Sequence, residues 1–105
     1  MNILVVNGSG SIGSALVSEL SDEGLNLTYT SSNGNNSNHG ESIHWRYSGE
    51  ESVKELFEDL KSKFNHIDAV VNCLGSIFLK PAHLTDVNDF DQTLDINLRS
   101  SFFII

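Results

Sequence analysis

The stretch "ILVVNGSGSIGSALVSEL", residues 3–20, decides the fold. It opens with Ile3, Leu4, Val5 and Val6, a short apolar run rich in β-branched side chains, as expected of a strand buried on both faces. Gly8, Gly10 and Gly13 follow, and from Ile12 the apolar residues Ile12, Ala15, Leu16 and Leu20 fall at helical spacing. A glycine inside a helix costs about 1 kcal/mol relative to alanine, so three of them at a strand-to-helix turn need a reason. Gly8-Ser9-Gly10-Ser11-Ile12-Gly13 is G-x-G-x-x-G. In that pattern the first glycine allows the tight turn, the second admits a pyrophosphate to the backbone, and the third lets helix and strand pack closely. Free amides at the helix start then face the anion. Gly8, Ser9, Gly10, Ser11, Ile12 and Gly13 are therefore the candidate cofactor-binding segment. The plain alternative is a tight turn that binds nothing.

Outward from this turn, Gly24 supplies a helix stop, and Leu25, Leu27 and Tyr29 alternate with polar residues as a second strand. Residues 31–40, "SSNGNNSNHG", hold no apolar anchor and predict a flexible loop. Ile43–Tyr47 predicts a third strand, and Ser48 to Glu51 has the form of a capping box. Val53, Leu56, Phe57, Leu60 and Phe64 make one helical stripe. Ile67–Val71 predicts a fourth strand, followed by a loop over 76–84 containing Pro81. Thr85 stands as an N-cap, and Phe90, Leu94, Leu98 and Phe102 continue a stripe to residue 105. Strands alternating with helices imply an α/β fold: a Rossmann-like doubly wound parallel sheet, here four strands in the order 3-2-1-4, as a single domain over 1–105.

Six lysines and arginines stand against 14 acids, a net charge of −8. That disfavours nucleic acid and anionic membrane as partners. Cys73 is the sole cysteine, so no internal disulfide forms, and with no signal-like N-terminus the expected location is cytoplasmic. His39, His44, His66 and His83 show no metal-ligand spacing. The dinucleotide fingerprint expects an acid ~20 residues beyond the glycines to hold the ribose hydroxyls of NAD. No acid lies between Gly24 and Glu41; Ser31 and Ser32 stand there instead, and Arg46 is the first basic side chain. This favours NADP(H) over NAD(H).

The second half, "IDAVVNCLGSIFLKPAHLTDVNDFDQTLDINLRSSFFII", resembles the short-chain dehydrogenase/reductase family, whose fourth strand runs into an N-N-A-G motif. Here that motif reads Asn72-Cys73-Leu74-Gly75. The resemblance implies that Asn72, Cys73 and Gly75 lie beside a nicotinamide dinucleotide, and that Asn97 matches the helical asparagine of the family's proton relay. Three departures stand out. The family's T-G-x-x-x-G-x-G is a residue shorter here, with Asn7 at the threonine position. Arg46 replaces the aspartate that meets adenine, and the Asn/Ser loop replaces a helix. The family's Tyr-x-x-x-Lys pair is not among these residues: Tyr29 is followed four later by Asn33, and Tyr47 by Glu51. The 105 residues stop within the family's fourth helix. The expectation is a dinucleotide-binding portion of an oxidoreductase, inactive by itself. A homo-oligomer is also expected, formed through the fourth strand's edge or the apolar tail Phe102–Ile105. The alternative is a non-catalytic Rossmann scaffold.

Overall fold

The computed structural model describes residues 1–34, 40–76 and 79–105. Residues 35–39, half of the loop expected over 31–40, lie outside the described residues. Strand β1 (Asn2–Val6) leads to helix α1 (Ser11–Ser21) and strand β2 (Asn26–Ser31). Strand β3 (Glu41–His44), helix α2 (Glu50–Lys63) and strand β4 (Ala69–Asn72) follow. A 3₁₀ turn (Ala82–Leu84) precedes α3 (Val87–Leu94), which runs through a π turn (Asp95–Arg99) into α4 (Ser100–Ile104). All strand pairs are parallel, in the order β3-β2-β1-β4. The expected α/β fold and strand order are the observed ones.

The central β1 explains its own composition. Ile3 and Val5 pack on one face with Val17 of α1 and with Leu27 and Tyr29. Leu4 and Val6 pack on the other with Val53, Leu56 and Leu60 of α2 and Ile104 of α4. Each large apolar side chain buried this way contributes roughly 1.5–3 kcal/mol, so one strand anchors both layers. Gly24, with φ 71, ends α1 as expected.

Several local expectations are corrected. Ile12 and Ala15 do not face the core; Ile12 is 77% exposed, and Gly13 and Val17 are the buried positions of α1. β3 lies two to three residues earlier than Ile43–Tyr47, because Trp45 leaves the sheet. Its amide still donates to Ser31 O (3.0 Å), but its indole Nε1 donates to Ser52 O of α2 (2.8 Å) and draws the chain onto the helix. No capping box forms at Ser48. Gly49 (φ 103) is the N-cap, and the Ser52 hydroxyl donates to Gly49 O (2.6 Å) while accepting from Ser48 N (2.9 Å). Thr85 is not an N-cap either: its hydroxyl donates to Pro81 O (3.1 Å). The cap lies one residue on, where Asp86 accepts from Asp89 N (2.8 Å) and Asp89 accepts from Asp86 N (3.3 Å). Phe90, Leu94, Leu98 and Phe102 form their stripe on the exposed side of α3 and α4. Residues spaced four apart drift around an α-helix of 3.6 residues per turn, and the π turn takes up part of that drift.

Candidate functional site

The glycine turn sits at the C-terminal edge of the sheet, where β1 meets the tips of β2 and β4. Asn7 adopts a left-handed φ of 63, a conformation asparagine tolerates better than most residues. Its amide donates to Thr30 Oγ1 (2.8 Å) and the next amide, Gly8 N, to Thr30 O (2.9 Å). Its side-chain Nδ2 donates to Cys73 O (3.3 Å). One residue thus fastens the turn to both neighbouring strand tips.

Two of the three glycines are fixed by packing. A Cβ on Gly8 would lie 2.4 Å from Tyr29 Cβ, and one on Gly13 would lie 2.1 Å from Asn7 O. At Gly10 the obstruction is Asn7 Nδ2, at 2.9 Å. Gly10 is the N-cap of α1 and supplies no side-chain acceptor. Ser14 N is the first amide to close a helical bond, to Gly10 O (2.8 Å), and the amides of Ser11, Ile12 and Gly13 have no cap among the described residues. Together with the helix dipole they form an opening suited to an anion.

Beside this opening lies a cavity of about 230 Å³. Its walls are Asn7, Thr30 and Ser32, the segment Trp45–Tyr47, the segment Leu74–Ser76, and Ile96 of the π turn. Of the expected cofactor-binding residues, Ser32, Arg46 and Gly75 line it, while Ser9, Ser11 and Ile12 stand at the adjoining α1 entrance. Ser31 is buried, and its hydroxyl donates to Asn33 Oδ1 (2.7 Å). Cys73 is half-buried, and burial pushes its thiol above the ordinary range. The hydroxyl of Tyr47, a wall residue, donates to Asp95 Oδ1 (2.9 Å) at the start of the π turn. Burial, followed by that bond to Asp95, raises the tyrosine's pKa.

The tip of β4 is locked to the π turn. Asn72 Nδ2 donates to Ser101 Oγ (3.1 Å), and Ser101 Oγ donates to Asn97 O (3.2 Å). Asn97 Nδ2 donates to Ser76 O (2.9 Å) and Thr93 O (2.9 Å), while its Oδ1 accepts from Ser76 N (3.1 Å). A Cβ on Gly75 would stand 3.0 Å from Asn97 Oδ1, so a bare residue there keeps the clamp closed. Sequence reading did not single out Asn7 as a site residue, nor Thr30, Trp45, Tyr47 or Ser76. For Asn7 a signal existed: an asparagine directly before the first glycine of the turn. For Ser76 none did, since its role is made by its backbone.

This arrangement of glycine turn, uncapped helix start and locked fourth strand agrees with what comparison finds. Residues 6–105 match the family model described as enoyl-(acyl carrier protein) reductase. The chain belongs to the short-chain dehydrogenase/reductase family. Among curated relatives, a hydroxynaphthalene reductase-like protein of Metarhizium anisopliae is 35% identical over 52 residues, which is 50% of this chain and 20% of that protein. Among solved structures, the short-chain dehydrogenase of Leptospira borgpetersenii with bound NAD+ superposes with a TM-score of 0.83 at 25% identity. That likeness covers 97% of this chain and 42% of the other. A 4-hydroxyisoleucine dehydrogenase complexed with NADH shares the fold at a TM-score of 0.86 and 20% identity, over 99% of this chain and 46% of that one. The chain spans less than half the length of these two solved structures. Among the described residues no helix is long and apolar enough to cross a membrane.

Proposed function

We propose that these 105 residues form the dinucleotide-binding domain of a short-chain dehydrogenase/reductase, with NADP(H) preferred over NAD(H). The observation that carries this reading is the uncapped start of α1, held open beside the cavity by the packing of Gly8 and Gly13. The family member with bound NAD+ supports a nicotinamide dinucleotide as the ligand class. The residues present fit such a ligand. The amides of Ser11, Ile12 and Gly13 take the pyrophosphate, and Ser9 lies at its edge. The cavity wall formed by Ser32, Arg46 and Gly75 takes the adenosine end. Asn72 and Cys73 shape the tip of β4 from behind. The missing acid after β2 removes the usual partner of an unmodified ribose.

When bound, the nicotinamide supplies or accepts a hydride. Reduction of a carbonyl also needs an acid at the substrate oxygen, and these residues contain no Tyr-x-x-x-Lys pair. The chain as given therefore binds cofactor without turning substrate over. In this reading Asn97 matches the family's relay asparagine by resemblance; its side chain holds Ser76 O and Thr93 O, and its backbone carbonyl accepts from Ser101 Oγ. The exposed stripe Phe90, Leu94, Leu98 and Phe102 and the half-open edge of β4 at Val70 drive self-association, most simply as a two-fold dimer. The acidic, cysteine-poor composition fits the cytoplasm.

Calorimetric titration with NADPH and NADH tests the cofactor assignment. Tighter binding of NADPH is expected. Tighter NADH binding sinks the preference, and no binding of either at millimolar concentration favours the Rossmann scaffold that binds nothing.

A further inference from the structure

We propose that Asn33-Gly34, just beyond β2, is a self-modifying site at which the asparagine side chain is converted to a carboxylate. The step needs only the chain and water. The Gly34 amide nitrogen attacks Asn33 Cγ. An N–C bond forms, the Cγ–Nδ2 bond breaks, and the proton of the attacking nitrogen leaves with the departing ammonia. Water then opens the five-membered imide at either carbonyl, which leaves aspartate or isoaspartate. Nothing is oxidised or reduced, and the dinucleotide reading is not needed.

The chain holds the dipeptide Asn-Gly twice, at Asn7-Gly8 and at Asn33-Gly34. The fold treats the two in opposite ways. At the first, the attacking nitrogen, Gly8 N, donates to Thr30 O at 2.9 Å, and the leaving nitrogen, Asn7 Nδ2, donates to Cys73 O at 3.3 Å. Attack there waits for the turn between β1 and α1 to open, so its rate is scaled down by the fraction of time the turn is open. At the second, both residues are exposed, and among the described residues the Gly34 amide donates no hydrogen bond. Gly34 also carries no side chain to shield its nitrogen.

Two neighbours assist, and the β2–β3 register, with Ser31 opposite His44, brings both to the site. The Ser31 hydroxyl donates to Asn33 Oδ1 at 2.7 Å. That oxygen gathers negative charge as Cγ becomes tetrahedral, and a donor aimed at it stabilises the charge. His44 Nε2 lies 3.2 Å from Ser32 O, which can only accept. In the neutral ring Nε2 therefore carries the hydrogen and Nδ1 the lone pair. Nδ1 is the atom nearest Gly34, 3.8 Å from where a Cβ would stand, and acts as the base for the amide proton. Conversion adds one negative charge to a chain of net −8. It puts a carboxylate next to Ser32, in the wall of a cavity whose described lining has none.

The test incubates the full chain in mildly alkaline buffer, folded and in urea, and then cleaves it after glutamate. Cuts at Glu19, Glu23 and Glu41 put Asn7 and Asn33 on separate peptides, and fragment masses assign each conversion to its residue. In the folded chain position 33 should convert at least about tenfold faster than position 7, the size of effect that a modest barrier difference gives. In urea the two rates should converge. H44Q and S31A should each slow position 33 at least about threefold, a small share of what a placed base or oxyanion donor supplies in an enzyme. His44 is exposed, so H44Q decides the point even where loss of the buried Ser31 hydroxyl unfolds the chain. Equal rates at positions 7 and 33 in the folded chain overturn the proposal, and so does an H44Q protein that converts position 33 as fast as the wild type.

Discussion

The unit β1–α1–β2 and the helix running from Val87 to Ile104 solve opposite problems with similar sequences. Both carry apolar residues at a regular period. In the first unit Ile3, Val5, Val17, Leu27 and Tyr29 turn inward and leave polar backbone exposed at the tip. In the second, Val87, Phe90, Leu94, Leu98 and Phe102 turn outward, while Ser100 is buried beneath them. The difference teaches that apolar period sets which residues share a face, and that the polar groups opposite decide which way the face points. Asp95, Asn97 and Ser101 have hydrogen-bond partners at Tyr47, Ser76 and Asn72. Those bonds, with Ile104 in the core, hold one side of the helix against the sheet, so the stripe Phe90, Leu94, Leu98 and Phe102 faces outward.

The largest effect should come from Gly13→Ala. Alanine gains about 1 kcal/mol of helix propensity, but its Cβ meets the Asn7 carbonyl at 2.1 Å, and backbone cannot move aside as a flexible side chain can. Overpacking of this kind costs about 1–3 kcal/mol or more. A net loss of about 1–2 kcal/mol by urea denaturation is expected, and an unchanged midpoint would show that the turn is not packed as described.

Thr28→Val sharpens the same region in the other direction. Thr28 Oγ1 is buried with no hydrogen-bond partner among the described residues. Removing a buried unsatisfied hydroxyl while keeping the shape should stabilise by about 1 kcal/mol, read as a higher denaturation midpoint.

A smaller effect is set by pH. The Asp68 carboxylate accepts from Asn2 N at 2.6 Å, and this bond chiefly holds its pKa below the ordinary 3.8. A carboxyl depressed in the folded state contributes stability above its unfolded value and loses it as pH falls through the folded one. Stability of the wild type should therefore drop as pH is lowered below about 4, and Asp68→Asn should make that acid limb shallower.

The smallest effect on monomer stability is expected at Leu98, which is 65% exposed. Leu98→Gln should change the urea midpoint by no more than about 0.5 kcal/mol, while light scattering at micromolar concentration should show weakened self-association. A loss comparable to that of Gly13→Ala would mean that the helix face is not the free surface it is in this chain.

The sheet and its order were legible because β1 had to be apolar on both faces and the glycines marked where it turned. The candidate cradle was legible for the same reason. Both proposed caps were misplaced by the same limitation: a Ser or Thr before an acidic residue satisfies the pattern, yet Gly49, braced by the Ser52 hydroxyl, and Asp86 take the cap positions by geometry that only the fold supplies. The third strand slipped because an indole hydrogen bond to α2 outweighed the β-propensity of Trp45 and Tyr47. Asn7 was read as a departure from the family's threonine, whereas its side-chain amide ties the glycine turn to β4.

The side chain of Asn97 carries one more consequence. By taking both the N–H and the C=O of Ser76, its carboxamide does what an adjacent strand would do, one residue at a time. Ser76 is thus paired like a sheet residue although it lies four positions past the end of β4. Its amide proton should exchange with solvent slowly although it lies outside any strand, and that protection should report directly on whether the π turn is wound.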